Sequence, residues 1–220
     1  IVKRWYTFLM KYLDEGFYYK VYDIGDDRVF KEYQSYYYSF KKVFVLHRER
    51  NNVPFFRSLK IAHQSVTKEQ KTLYEMKRRL KTLPGEMFGN PTFVDNVLNY
   101  TQDRVAPLGE YLESHSIEDN KKMLDLYFHI QKELWSKGIH DKIYKFHSSY
   151  GVTKDNKVVV IDFGETLFTK EETLESVISK KWLSRSKYKA WEESETKDYY
   201  TFGMNALMTK ENLNKFWKNP

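Results

Sequence analysis

The 220-residue chain contains no cysteine. Disulfides and thiolate metal sites are therefore excluded, and a reducing compartment suits the composition. Its six histidines are scattered and form no His-x-x-x-His pair at helical ligand spacing. No apolar run approaches the roughly 18 residues of a membrane-spanning helix. The start, Ile1-Val2-Lys3-Arg4-Trp5, lacks both a signal-peptide pattern and an initiator methionine, so the numbered chain reads as trimmed at its beginning. Internal repeats and Gly/Ser-rich linkers are also missing. These absences lead to the expectation of a cytoplasmic protein without a membrane partner.

What is present suits one medium domain with two lobes. Hydrophobic residues make up 41% of the chain and aromatic residues 17%, so much of the core should be aromatic. Lys and Arg number 37 against 30 Asp and Glu, a net charge of +7. That balance fits an anionic ligand such as a nucleotide phosphate, and also nonspecific nucleic-acid contact.

Hydrophobic periodicity orders the elements. Residues 17–24 and 27–33 read as strands joined by Gly25-Asp26-Asp27. The segment 33–62 is aromatic and basic, with a helix expected around 36–49. Thr67, with Glu69 and Gln70 after it, marks the start of a helix over 67–82, stopped by Pro84-Gly85. A hairpin is expected around Asp95-Asn96, a short helix over 108–113, and the strongest helix over 117–137, ended by Gly138. Strands 150–153 and 157–161 turn at Asp155-Asn156, and 170–216 is mostly helical. The order predicts an α+β fold with a boundary near residue 104.

Val158-Val159-Val160-Ile161 runs into Asp162-Phe163-Gly164. A β-branched run favours a buried strand, and the glycine permits a sharp turn at its end. This holds a carboxylate at a strand terminus, where it could meet Mg²⁺ on a nucleotide. The segment resembles the Asp-Phe-Gly motif of protein kinases. Other stretches extend the resemblance over about residues 13–205. Leu13 to Val21 resembles the phosphate-covering loop, with Gly16 and Val21 matching and Asp14 and Tyr19 at the other glycine positions. Val29-Phe30-Lys31 resembles the strand that carries the phosphate-binding lysine. Arg104 to Leu112 resembles the hinge between lobes, with adenine read by backbone near Val105 and Ala106. Asp198 to Gly203 resembles the start of the large central helix, where Asp198 would brace the catalytic loop; Asp198 also suits a helix N-cap.

The resemblance implies a bilobal protein-kinase-like fold with a truncated C-terminal lobe, an N-lobe over 1–104 and a C-lobe over 105–220. It implies ATP and Mg²⁺ as cofactors. Lys31 would bind the α- and β-phosphates, paired with Glu75 of the following helix; Glu69 and Glu49 are the other glutamates considered. Asp162 would hold Mg²⁺, with Ser149 at the position of the second metal ligand. The catalytic loop departs from the family pattern, because Tyr144 falls at the aspartate position. Asp141, in Gly138-Ile139-His140-Asp141, is the alternative base, and His147 a third candidate. Thr166, Thr169, Thr173, Ser184 and Ser186 lie where an activation segment would carry phosphosites.

Two functions follow from the resemblance. One is a divergent ATP/Mg²⁺-dependent phosphotransferase acting on a protein Ser/Thr or another hydroxyl, with Asp141, Asp162 and Lys31 in the catalytic roles. The other is a pseudokinase that binds nucleotide or a protein partner, with 33–62 as the partner surface. A basic nucleic-acid-binding domain ranks last, because it ignores the ordered series Gly16, Lys31, Glu75, Asp162 and Asp198.

Overall fold

The computed structural model describes residues 10–94, 98–142, 145–184 and 186–218. It has the expected α+β class. The chain divides into two units, residues 1–85 with 90–104 and residues 86–89 with 105–220.

The first unit is built on an antiparallel five-stranded sheet in the order β1-β2-β3-β5-β4. Its strands are β1 (Lys11–Glu15), β2 (Tyr19–Gly25), β3 (Arg28–Tyr33), β4 (Thr92–Phe93) and β5 (Tyr100–Asp103). The β2–β3 connection is the tight turn Asp26-Asp27, both at positive φ (50° and 54°), as a type I′ loop requires. Strand β1 was not expected. Its residues are nearly all exposed, so it carries none of the alternation that marks a half-buried strand. The expected turn at Asp95-Asn96 lies outside the described residues.

Between β3 and β4 stand α1 (Tyr36–Val45), continued by a π-helical turn over Leu46–Arg50, and α2 (Phe55–Arg79). Ser35 caps α1 by accepting the Tyr38 N–H. Helix α2 begins twelve residues before the expected start at Thr67. Pro54 precedes its first turn, a position where the lost N–H costs no intrahelical bond. The two helices close a small core of Val43, Ala62 and Val66, with Phe40 and Phe44 packed against it.

In the second unit, β6 (Ala106–Pro107), α3 (Leu108–Ser114), α4 (Ile117–Ser136), β7 (His140–Asp141), α5 (Phe146–Ser149), β8 (Tyr150–Val152), β9 (Val158–Val160) and β10 (Thr166–Leu167) follow in order. Five helices complete it: α6 (Lys170–Ile178), α7 (Lys181–Ser184), α8 (Ser186–Ala190), α9 (Glu195–Leu207) and α10 (Lys210–Phe216). Strands β6, β8 and β9 form one small sheet, and β7 pairs with β10. Helix α4 ends as its sequence requires. Gly138 adopts φ 64°, while Gly138 N–H and Ile139 N–H return to the carbonyls of Trp135 and Leu134.

The core of this unit is aromatic, as the composition implies. Tyr127 meets Tyr150 edge to face at 4.9 Å, and Phe146 stacks on Tyr200 at 4.3 Å. Tyr127, Tyr150 and Tyr200 are fully buried. Burial of rings this large dominates the hydrophobic contribution of a small domain.

Candidate functional site

In the first unit the sheet register sets Val21, Lys31 and Tyr100 side by side across three strands. Directly paired residues share a face, so Val21 and Lys31 present their side chains together. The Lys31 Nζ stands 5.6 Å from the centre of the Tyr100 ring. Gly16 lies in the turn between β1 and β2. Its N–H donates to Tyr19 O at 2.9 Å, and its carbonyl accepts from Gln34 Nε2 at 3.0 Å and Lys42 Nζ at 2.9 Å. Lys42 also pairs with Glu15, and the Tyr38 hydroxyl donates to Glu15 at 2.8 Å. The turn is thus fastened to α1.

Glu75 is engaged within its own helix. Its carboxylate is held by Arg78 at 2.6 and 2.9 Å and by Arg79 at 2.7 Å. The Arg78 hydrogen bond, helped by Arg79, brings its pKa down to about 2. Glu69 is the buried glutamate of α2. It falls on the buried stripe Ser58, Ala62, Val66, Glu69, Leu73 and Met76 and is 6% exposed. Burial raises the Tyr33 phenol of β3 to about 12, with the Glu69 charge a smaller contribution in the same direction. Tyr33 is two residues from Lys31 on the same face of β3. The stripe was present in the sequence at 3–4-residue spacing, but it becomes visible only when α2 is started at Phe55. Glu49, the remaining candidate, is exposed in the π turn.

In the second unit Asp162 follows β9 and is exposed. Its carboxylate accepts the Gly164 N–H at 3.3 Å, closing a local turn. The N–H groups of Ile161 and Asp162 both donate to Ser149 O, at 2.8 and 3.2 Å. Asp162 and Ser149 are therefore brought together by their backbones, with Ser149 buried. Phe163 is buried and meets Phe88 edge to face at 6.1 Å. Beyond it, Glu165 O accepts the Lys142 N–H at 3.0 Å and the Glu165 carboxylate pairs with Lys145 at 3.2 Å. Val105 and Ala106 lie at the start of β6, where Ala106 pairs with Val152 and Val105 packs onto Gly151.

Asp141 sits on β7, opposite Thr166 of β10. The Tyr150 hydroxyl accepts from Gln131 Nε2 at 2.8 Å and is hydrogen-bonded to the Asp141 carboxylate. Burial, then the Asp141 charge, holds the Tyr150 phenol well above its ordinary pKa. Gln131 and Tyr150 were not singled out from sequence; both lie at buried positions that read as core. His147 is packed. Its ring lies 4.0 Å from Phe146 and 5.3 Å from Trp191, and a Cβ on Gly109 would come within 2.6 Å of its Nδ1. Tyr144 lies outside the described residues.

Two further expectations are corrected. Asp198 is exposed in the first turn of α9, where a carboxylate suits the helix dipole. It is not the cap, which is Ser194 accepting the Lys197 N–H. The expected brace from Asp198 to the catalytic loop is thus not the position this residue takes. Among the candidate phosphosites, Thr166 and Thr173 are buried with hydroxyls donated to backbone carbonyls, and Thr169 caps α6.

The donor set bears on the metal. Among the described residues no group of three or more His, Asp or Glu side chains could hold a metal ion. An all-protein cage is therefore not built there. Mg²⁺ commonly takes one or two protein oxygens and completes its octahedron with phosphates and water. Asp162 and Ser149 are the pair that would hold such an ion.

No family model matches the chain, and no curated protein matches it. Among solved structures it is similar to Rv3197 of Mycobacterium tuberculosis in complex with erythromycin, at 12% identity and TM-score 0.48, covering 84% of this chain and 56% of that one. It is also similar to WbdD, at 15% identity and TM-score 0.45, covering 94% of this chain and 46% of that one. A second structure, of the bifunctional kinase-methyltransferase WbdD, aligns at 14% identity and TM-score 0.43, covering 91% of this chain and 43% of that one. The chain spans about half the length of these structures. Likeness at this level assigns no activity.

Proposed function

We propose that the chain is a protein-kinase-like ATP- and Mg²⁺-binding protein, a phosphotransferase in class, acting on a hydroxyl of a protein or another acceptor. The observation that carries the reading is Asp162. It is an exposed carboxylate at the end of a buried strand, fixed by its own turn and by the Ser149 carbonyl. A second support is the row of Val21, Lys31 and Tyr100 across the first unit's sheet. In this reading Lys31 holds the α- and β-phosphates as a point charge from a rigid strand. Glu69, in place of Glu75, steadies Lys31. Val21 covers the base, and the backbone at Val105 and Ala106 reads adenine. Gly16 leaves the turn slim enough to lie near phosphate. Asp162, with Ser149 beside it, holds Mg²⁺, which when bound would neutralise charge on the transferring phosphoryl group.

A second reading is favoured by one observation. Asp141 is the base candidate that the sequence supports, and its carboxylate is engaged by the buried Tyr150 hydroxyl. A carboxylate turned to an internal partner accepts a substrate proton poorly. The second reading is a pseudokinase that binds nucleotide and a protein partner with little transfer.

Radiolabelled ATP with Mg²⁺ and the purified chain tests the first reading. Wild type should autophosphorylate or slowly hydrolyse ATP, and Asp162→Ala and Lys31→Ala should lose at least about 100-fold, the scale of removing a main electrostatic contributor. An unchanged signal in Asp162→Ala would sink it. ATP binding without any turnover selects the second reading.

A further inference from the structure

Net charge is concentrated in one part of the chain. Residues 36–79 carry eleven Lys and Arg against three Asp and Glu, or +8, while the whole chain is +7. All other residues together come to −1. The segment is α1, the π turn and α2 of the first unit. Two of its three carboxylates are withdrawn, since Glu69 is buried and Glu75 is held by Arg78 and Arg79. What faces solvent near the connection between the helices is cationic on balance: Arg48, Arg50, Arg57 and Lys60 are all exposed, against the single exposed carboxylate Glu49.

At the same place stand two uncovered rings. Phe55 is 50% exposed and Phe56 83%. Phe55 meets Phe44 edge to face at 5.5 Å, and Phe56 meets Phe55 in the same way at 5.5 Å. The rings therefore form an apolar tip rooted in the α1–α2 core. Core-facing positions of α2 run Ser58, Ala62 and Val66. Phe56 and Lys60 lie on the opposite side of the helix at four-residue spacing.

We propose that this helical pair docks the protein on an anionic membrane surface, with Phe55 and Phe56 entering the headgroup boundary and Arg48, Arg50, Arg57 and Lys60 contacting lipid phosphates. Aromatic insertion and cationic attraction are the two contributions that hold peripheral proteins on such surfaces. The arrangement suits lipid better than single-stranded nucleic acid, which is gripped by rings spaced along a cationic groove so that successive bases stack. Here the two exposed phenyl rings of the helical pair, Phe55 and Phe56, are sequence neighbours that meet edge to face at one end of α2, whereas the exposed Tyr37, Tyr38 and Tyr74 stand on α1 and late in α2 rather than at the cationic connection between the helices. The proposal concerns surface binding; no helix among the described residues is long and apolar enough to cross a membrane. It departs from the expectation of no membrane partner and does not depend on the nucleotide reading.

Flotation of the full chain with vesicles tests it. Phosphatidylcholine vesicles containing phosphatidylserine should carry wild type upward, and phosphatidylcholine alone should not. The double variant Phe55→Ser/Phe56→Ser should bind about tenfold or more weakly. Arg48→Glu/Arg50→Glu should weaken binding comparably, and added salt should release wild type. Phe202→Ser, at an exposed ring of the second unit, should bind as wild type does. Every variant is first checked for an unchanged Tm, and the charge variant keeps the test decisive if the Phe variant misfolds. Failure of wild type to bind the phosphatidylserine vesicles overturns the proposal. So does full binding by both the Phe and the Arg variants. Tighter binding to polyglutamate or to a single-stranded oligonucleotide, with the same dependence on the variants, overturns it in favour of an acidic protein or a nucleic acid.

Discussion

A Cβ built on Gly151 would stand 2.2 Å from Val105 Cγ2 and 3.1 Å from Ala106 O. The glycine thus suits the close approach of β6 to β8, and a Cβ there would force Val105 to move. Gly151→Ala should lower the stability measured by urea unfolding by about 1–3 kcal/mol, the range for overpacking. Adding Val105→Ala should restore part of it. His140 gives a second residue-level test. It is fully buried, and its Nδ1 accepts from Trp135 Nε1 at 3.0 Å, which leaves the ring neutral with its proton on Nε2. Burial, with Lys181 nearby, pushes its pKa down to about 3. Between that value and the unfolded one of about 6.5 the unfolded chain binds the extra proton. Its contribution is therefore fully present above about pH 6.5 and is lost as pH falls, by about 1.4 kcal/mol per unit. His140→Gln keeps an acceptor for Trp135 and cannot titrate, so its stability should fall less steeply between pH 6 and pH 4.5, values chosen within the roughly 3–6.5 window. Equal slopes for the two proteins would contradict the assignment.

At the scale of elements, α2 decides how the first unit is read. Its sequence offers Thr67 with Glu69 and Gln70 as a start signal, yet the helix begins at Phe55 behind Pro54. A proline start and the polar, small residues on the buried stripe, Ser58 and Ala62, hide its first three turns from hydrophobic periodicity. That single displacement led to Glu75. If Glu69 is the residue that steadies Lys31, Glu69→Gln should weaken Mg²⁺-ATP binding by about tenfold, or ~1.4 kcal/mol, in calorimetry. Glu75→Gln should leave it unchanged. The reverse pattern would return the role to Glu75. Elements with clear local chemistry were legible. The Gly25-Asp26-Asp27 turn, the α4 stripe with its Gly138 end, and the Asp155-Asn156 hairpin all appear where their residues place them. The edge strand β1 was not, because pairing of exposed residues leaves no pattern in side-chain hydrophobicity. Of the expected site, Asp162 beside Ser149 and Val21 beside Lys31 follow from strand endings and strand register. The engagement of Asp141 by Tyr150, whose hydroxyl also accepts from Gln131, could not be read in advance, since it depends on which buried polar groups meet across β7, β8 and α4.

Across the whole molecule, charge and chemistry are allotted to different regions. The positive balance belongs to α1 and α2 of the first unit, and the exposed carboxylate Asp162 to the second. Composition alone reads +7 as a match for phosphate. Its placement instead marks a surface, and under the proposed function nucleotide recognition would fall to a few residues, chiefly Lys31 and Asp162. The proposal that Lys31 and Asp162 bind ATP with Mg²⁺ stands or falls on thermal unfolding with and without Mg²⁺-ATP. A ligand at about 100 times its Kd stabilises by ~2.7 kcal/mol, which for a chain of this size corresponds to a Tm rise of about 5–10 °C. The rise should require Mg²⁺ and should vanish in Asp162→Ala. No rise at saturating Mg²⁺-ATP, or an equal rise in Asp162→Ala, would contradict the claim.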